Sequence, residues 1–165
     1  MWLTLDPGDP MLELAASDNN RRLQTYLDGS DYWTYNAKGM RDQRLATLHA
    51  RRYNDHPTVY LETIRMEGDD QQGRSWQLSA DSGELTPQIN QLNLSDNVEL
   101  SQANGSSKLF TEHLIIDTLK QVARTEVAVT LIHESSITKA RGLTINIPAG
   151  TAELLRDVET IYEMQ

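Results

Sequence analysis

Short segments in which apolar and polar residues alternate one by one run through most of this chain, and that period is the signature of half-buried strands. The clearest is Ser75-Trp-Gln-Leu-Ser-Ala80. Trp76, Leu78 and Ala80 fall on one side and Ser75, Gln77 and Ser79 on the other, because successive strand side chains point to opposite faces. The pattern returns in Gln91-Leu-Asn-Leu94, Asn97-Val-Glu-Leu-Ser101, Thr125-Glu-Val-Ala-Val-Thr-Leu131 and Leu143-Thr-Ile-Asn-Ile147, where β-branched residues add their own strand preference. Residues 32–35, 45–53 and 59–66 read the same way.

Turn residues punctuate these segments at about the spacing of an all-β sandwich or stack. Asp81-Ser-Gly83, Ser95-Asp-Asn97 and Ala103-Asn-Gly-Ser106 carry turn and hairpin chemistry, Pro148-Ala-Gly150 a stop, and Lys38-Gly39 and Asp55-His-Pro57 separate the upstream segments. Two stretches dissent. Residues 111–123 place Ile115, Leu119 and Val122 at helical spacing, and residues 152–161 do so with Leu154, Val158 and Ile161. Gly and Pro signals crowd both, and a lone helix would displace a strand from a regular series, so strands are expected there. A weak echo of the 76–85 pattern at 109–118 is what any stack of strands generates.

With 165 residues the chain suits one domain with a sizeable core. Lys plus Arg total 15 against 24 for Asp plus Glu, a net charge of -9, the wrong sign for a phosphate-backbone binder. No nucleic-acid partner is expected. No stretch approaches the roughly 20 apolar residues of a membrane span, which predicts a soluble chain. Residues 1–22, with Pro7, Gly8, Pro10 and Ser17-Asp-Asn-Asn-Arg-Arg22, predict a flexible arm or linker, with a short helix over 11–16 as the alternative. The apolar Met1-Trp-Leu-Thr-Leu5 breaks at Asp6-Pro-Gly-Asp-Pro10, as the end of an upstream apolar segment would. The chain has no cysteine, which excludes disulfides, thiolate metal sites and a cysteine nucleophile.

Chemistry-bearing patterns are scarce. His49, His56, His113 and His133 lack the short spacings that pair metal ligands, so neither a metal nor another cofactor is expected. No Gly-x-Ser-x-Gly elbow sets a serine beside a base. The acidic residues Glu62, Asp69 and Asp70 fall on polar faces and turns, where solvated carboxylates sit, rather than at the paired positions a glycosidase needs. The sequons at Asn93 and Asn104 lie in a predicted strand and a tight turn and receive no role. A non-catalytic protein is expected. One Phe, three Trp and six Tyr leave an interior of Leu, Ile, Val and Ala, read as a plain aliphatic core or as one partly open to acyl chains. The final residues 157–165 alternate through Val158, Thr160, Tyr162 and Met164 and then stop. A terminal strand of this kind leaves backbone donors and acceptors unpaired, to be protected or to accept a partner strand.

Ala152-Glu-Leu-Leu-Arg-Asp-Val-Glu-Thr-Ile-Tyr-Glu-Met-Gln165, preceded by Lys139-Ala-Arg-Gly142, resembles the C-terminus of the LptC family, the bitopic inner-membrane component of lipopolysaccharide export. Tyr26-Leu27, Tyr35-Asn-Ala-Lys-Gly39, Trp76-Gln-Leu-Ser-Ala-Asp-Ser-Gly-Glu-Leu-Thr86 and Asn97-Val-Glu-Leu100 extend the match in family order over about residues 25–165. The resemblance implies an open, twisted antiparallel β-jellyroll of about 15 short strands in a single elongated domain over residues 23–165. It also implies a transmembrane helix ahead of the arm, with Met1-Trp-Leu-Thr-Leu5 marking its end, and hence a periplasmic domain anchored in the inner membrane.

On the same resemblance, the domain takes lipopolysaccharide from an LptF/LptG permease powered by the LptB ATPase and passes it to the bridge protein LptA. Residues 24–35, with Tyr32, Thr34 and Tyr35, would face the permease. Residues 157–165, with Val158, Thr160, Ile161, Tyr162 and Met164, would face LptA, and the same edges would support self-association. Lipid-groove candidates are Trp76, Leu78, Ala80, Val98, Leu100, Val129, Leu131 and Leu154 by alternation, and Tyr60, Ala152 and Tyr162 by family position. A structural or adhesive β module binding carbohydrate or protein is the rival from another class.

Overall fold

The computed structural model describes residues 22–162. Across them run nine strands: β1 (Leu23–Tyr35), β2 (Arg41–Tyr53), β3 (Val59–Asp69), β4 (Ser75–Thr86), β5 (Gln91–Gln102), β6 (Ser107–Asp117), β7 (Val122–His133), β8 (Ser136–Asn146) and β9 (Thr151–Tyr162). Each pairs antiparallel with its sequence neighbours, so the order in the single sheet is β1 to β9 without a crossover. A 3-10 turn, Pro87–Ile89, joins β4 to β5. Among the described residues no helix is long and apolar enough to cross a membrane. Of the expected arm only Arg22 is described; its N–H donates to Asn54 Oδ1 (3.0 Å). The rest, with the alternative helix over 11–16, lies outside the described residues.

Nine long strands stand where the family resemblance implies about fifteen short ones. Strands of 11 to 13 residues are about 40 Å long at the usual rise, and several change their buried face halfway. On β4, Trp76, Leu78 and Ala80 are buried, then Gly83. On β6 the buried set steps from Leu109 and Thr111 to Leu114 and Ile116, and on β3 from Leu61 to Ile64 and Met66. The inward face shifts by one residue at each of these points. Register breaks fall at the same level between Ser79/Ser82, Ser95/Val98, Thr111/Ile115, Thr125/Ala128 and Lys139/Arg141. Left-handed backbone at Gly29, Thr63, Asp96, Asn97, Gly142 and Asp157 completes a seam across the sheet.

The seam corrects two sequence readings. Asp81-Ser-Gly83 and Ser95-Asp-Asn97 are not turns; β4 and β5 run straight through them. Their turn-forming residues serve a bulge instead, with Asn97 Nδ2 donating to Asp81 Oδ2 (2.6 Å) and the Ser82 hydroxyl to Asp96 Oδ2 (3.2 Å). Gly83 is required for space, since a Cβ there would meet Ile64 Cδ1 at 2.5 Å and the Asn93 carbonyl at 3.0 Å. Neither helix-like stretch is a helix: 111–117 lies in β6, Leu119 in the turn after it and Val122 at the start of β7, and 152–161 lies in β9.

A bulge frees backbone groups that water cannot reach from inside, and such groups must find partners. Three of the four buried polar residues do this. Thr47 donates to the Glu62 carbonyl (2.7 Å), Thr111 donates to the Ala128 carbonyl (3.0 Å), and Thr125 Oγ1 accepts the Val127 N–H (3.3 Å). All three lie on the seam.

One sheet can bury a face only by folding over on itself. The seam lets it do so, and Leu94, Leu114 and Leu143 reach 0 % exposure in a core running from Ala50 on β2 to Ile145 on β8. The Gln71 N–H donates to the Pro148 carbonyl (2.8 Å), so the β3–β4 turn touches the β8–β9 turn although three strands, β5 to β7, separate the two hairpins in the sheet.

Thr111→Val keeps the shape of the side chain and strands a buried carbonyl, which should cost about 1–3 kcal/mol. Urea unfolding would measure it, and a loss near zero would mean that the seam is satisfied by other groups.

Candidate functional site

Between the folded-over ends of the sheet lies an apolar cavity of about 220 Å³. Its walls come from alternate residues of distant strands: Trp76 on β4, Leu100 on β5, Leu109 on β6, Leu131 on β7, and Ile145 and Ala152 from β8 and β9. The last two are paired across their ladder. The β8–β9 end thus faces the β4–β7 end across the gap.

The groove candidates separate into three groups. Trp76, Leu100, Leu131 and Ala152 meet at the cavity. Leu78, Ala80, Val98 and Val129 lie deeper, buried in the close-packed core, and Leu154 packs half-buried against it. Tyr60 and Tyr162 join neither group. Alternation puts Tyr60 on the face opposite buried Leu61, where its ring meets Tyr53 edge-on (5.9 Å). Tyr162 pairs with Ser136 at the end of β9 and is 74 % exposed. Both were drawn from family position rather than from alternation. Leu109 on β6, Ile145 on β8 and Ile147 just beyond it also line the cavity; the alternation over 143–147 marks the two isoleucines as inward.

The rim is polar. Asp70 and Arg74 form an ion pair (2.7 Å), and Gln102, Ser107 and His133 complete the border, with the Ser107 hydroxyl 2.7 Å from His133 Nδ1. The Asp70 side chain is only 5 % exposed. Burial pushes its pKa up, but the Arg74 backbone N–H, the Arg74 guanidinium and the Gln72 N–H outweigh that and hold it below the usual carboxylate range. Within the wall, the Trp76 indole N–H is buried with no hydrogen-bond partner among the described residues. His49 stacks on Tyr26 and hydrogen-bonds its hydroxyl (2.9 Å), and His56 bonds Thr58 (3.1 Å). The histidines are spread along the sheet.

Among the described residues, β1 pairs with β2 alone and β9 with β8 alone, so both outer edges are unpaired. Tyr32 and Tyr35 are exposed on β1, whereas Thr34 Oγ1 accepts the Gln43 N–H (3.1 Å). On β9, Val158 and Ile161 are exposed and Thr160 bonds Thr138 (2.9 Å); Met164 lies outside the described residues. Ile132 pairs with Ile137 and Ile137 with Ile161, an apolar row across β7, β8 and β9 that ends at the open edge.

At that first edge, Arg44 donates to Asp31 Oδ1 through Nε (3.0 Å) and to Glu67 Oε1 through Nη1 (3.2 Å), tying β1, β2 and β3 together. The hydrogen bond to Glu67, followed by that to Asp31, raises its pKa above the ordinary guanidinium value.

The sequence matches a family described as lipopolysaccharide-assembly, LptC-related, over residues 2–163. Among curated proteins nothing matches.

A carboxyl held below its unfolded value of about 3.9 stabilises the fold above that pH, and the contribution disappears as pH falls through the lowered folded value. Asp70→Asn should therefore be less stable than the parent at neutral pH. The difference, followed by thermal melts at successive pH values, should close below about pH 4; a constant gap would mean that the charge is irrelevant.

Proposed function

The chain belongs to the LptC-related family of lipopolysaccharide-assembly proteins, and from that premise we propose that it is a non-catalytic carrier in lipopolysaccharide transport. In this reading it receives lipopolysaccharide from an LptB/LptF/LptG extractor at the inner membrane and passes it to LptA. The observation that carries the proposal is the apolar cavity between the ends of a sheet whose two edges are unpaired. The curled sheet acts as a jellyroll, the periplasmic domain of a protein held to the inner membrane by a helix ahead of it.

Acyl chains enter a space that side chains leave open, each buried CH₂ contributing about 0.8 kcal/mol. Trp76, Leu100, Leu131 and Ala152 form the walls. Phosphates and sugars stay at the polar rim. No bond is made or broken, so direction comes from ATP hydrolysis by the partners and from successive handover.

The unpaired edge of β9 docks LptA by strand addition, with Ile161 and its row on one face and Tyr162 on the other. The edge of β1, around Tyr32 and Tyr35, meets the permease. Copies of this chain use the same two edges to associate.

A photo-reactive residue at Leu131 or Ala152 should label lipopolysaccharide, and one at Gln77 or Glu99, on the outer face, should not. The reverse pattern would defeat the groove. Ile161→Asp should weaken capture of LptA by about tenfold or more, equal to 1.4 kcal/mol, with the β-sheet circular dichroism unchanged; undiminished capture would place the partner elsewhere.

A further inference from the structure

Two turns meet over the cavity. The β3–β4 tip is complete in itself: Asp70 Oδ1 accepts the N–H groups of Gln72 (2.9 Å) and Arg74 (2.9 Å), and Oδ2 accepts Arg74 Nε–H (2.7 Å). The β8–β9 turn is likewise self-contained, with Asn146 Oδ1 accepting the Ala149 N–H (3.0 Å) and the Ile147 carbonyl the Gly150 N–H (3.1 Å).

One backbone hydrogen bond joins them, Gln71 N–H to the Pro148 carbonyl (2.8 Å). Beside it the Asp70 carboxylate and Arg74 guanidinium lie over Gly150, where a Cβ would collide with both. Asp70, Arg74 and Gly150 are also cavity-lining residues. Everything internal to each turn survives their separation, and a single bond between them is lost.

We propose that this contact is a releasable clasp: the 70–74 tip lifts off the 148–150 turn to admit the acyl chains of an anionic amphiphile sideways into the cavity, and closes over them afterwards. The proposal rests on reading the cavity as a lipid site. A sheet that folds over on itself has two ways in, along its axis and through the gap between its ends. The clasp stands across the gap.

The chain has no cysteine, so a Gln71→Cys, Pro148→Cys pair in the full chain has no competing thiol. Loading of fluorescent lipopolysaccharide, followed by anisotropy in stopped flow, should be slower in the oxidised pair than in the reduced pair on the order of tenfold, with reduction restoring the rate. Equal rates would overturn the clasp. Gly150→Ala, which puts a methyl group where the ion pair rests and at φ +63, should load faster than the parent, and an unchanged or slower rate would count equally against it. If neither the parent nor the reduced pair retains lipopolysaccharide, the lipid reading of the cavity fails and the clasp falls with it.

Discussion

The architecture depends on how backbone groups are satisfied along the seam that crosses the sheet at mid-strand. An uninterrupted sheet of this length would present one flat apolar face and bury little of it. The shift at mid-strand turns the two halves of each strand toward one another, and the interior that results can reach 0 % exposure at Leu94, Leu114 and Leu143. The carbonyls and amides released there would each cost more than an ordinary hydrogen bond yields. Thr47, Thr111 and Thr125, three of the four buried polar residues among those described, take them up. The cavity, the two turns above it and the exposed edges all follow from the fold line those side chains permit.

The outer face works differently. Arg44 with Asp31 and Glu67, Arg51 with Glu62, and Lys108 with Glu99 are pairs between adjacent strands. Exposed pairs of this kind contribute little to stability. They favour one register over its neighbours, because a slip by one residue would carry each charge to the inner face. Apolar alternation on one side and charge matching on the other thus specify the same alignment.

Alternation made the strands legible, and the inward residues of β4, β5 and β7 could be read directly because each half-strand keeps period two. The seam could not. Asp81, Gly83, Asp96 and Asn97 have the same chemistry in a bulge as in a turn, since both need left-handed or tightly approached backbone, and local sequence does not say whether the chain reverses afterwards. Hence local sequence breaks β4 and β5 in two where each is one strand. The cavity was half legible: Trp76, Leu100 and Leu131 follow from alternation and Ala152 from resemblance, but their meeting depends on which ends of the sheet touch. Tyr60, named from family position, lies on the face opposite buried Leu61.

Strand order that equals sequence order has a kinetic meaning. Every backbone ladder in the sheet joins chain neighbours, so each hairpin can form locally and the sheet can grow by adding one strand at a time. Growth of this kind has no built-in last step. The face that β9 offers to the next strand is the same kind of face that β8 offered to it, and nothing in the topology distinguishes a strand from this chain from one supplied by another polypeptide.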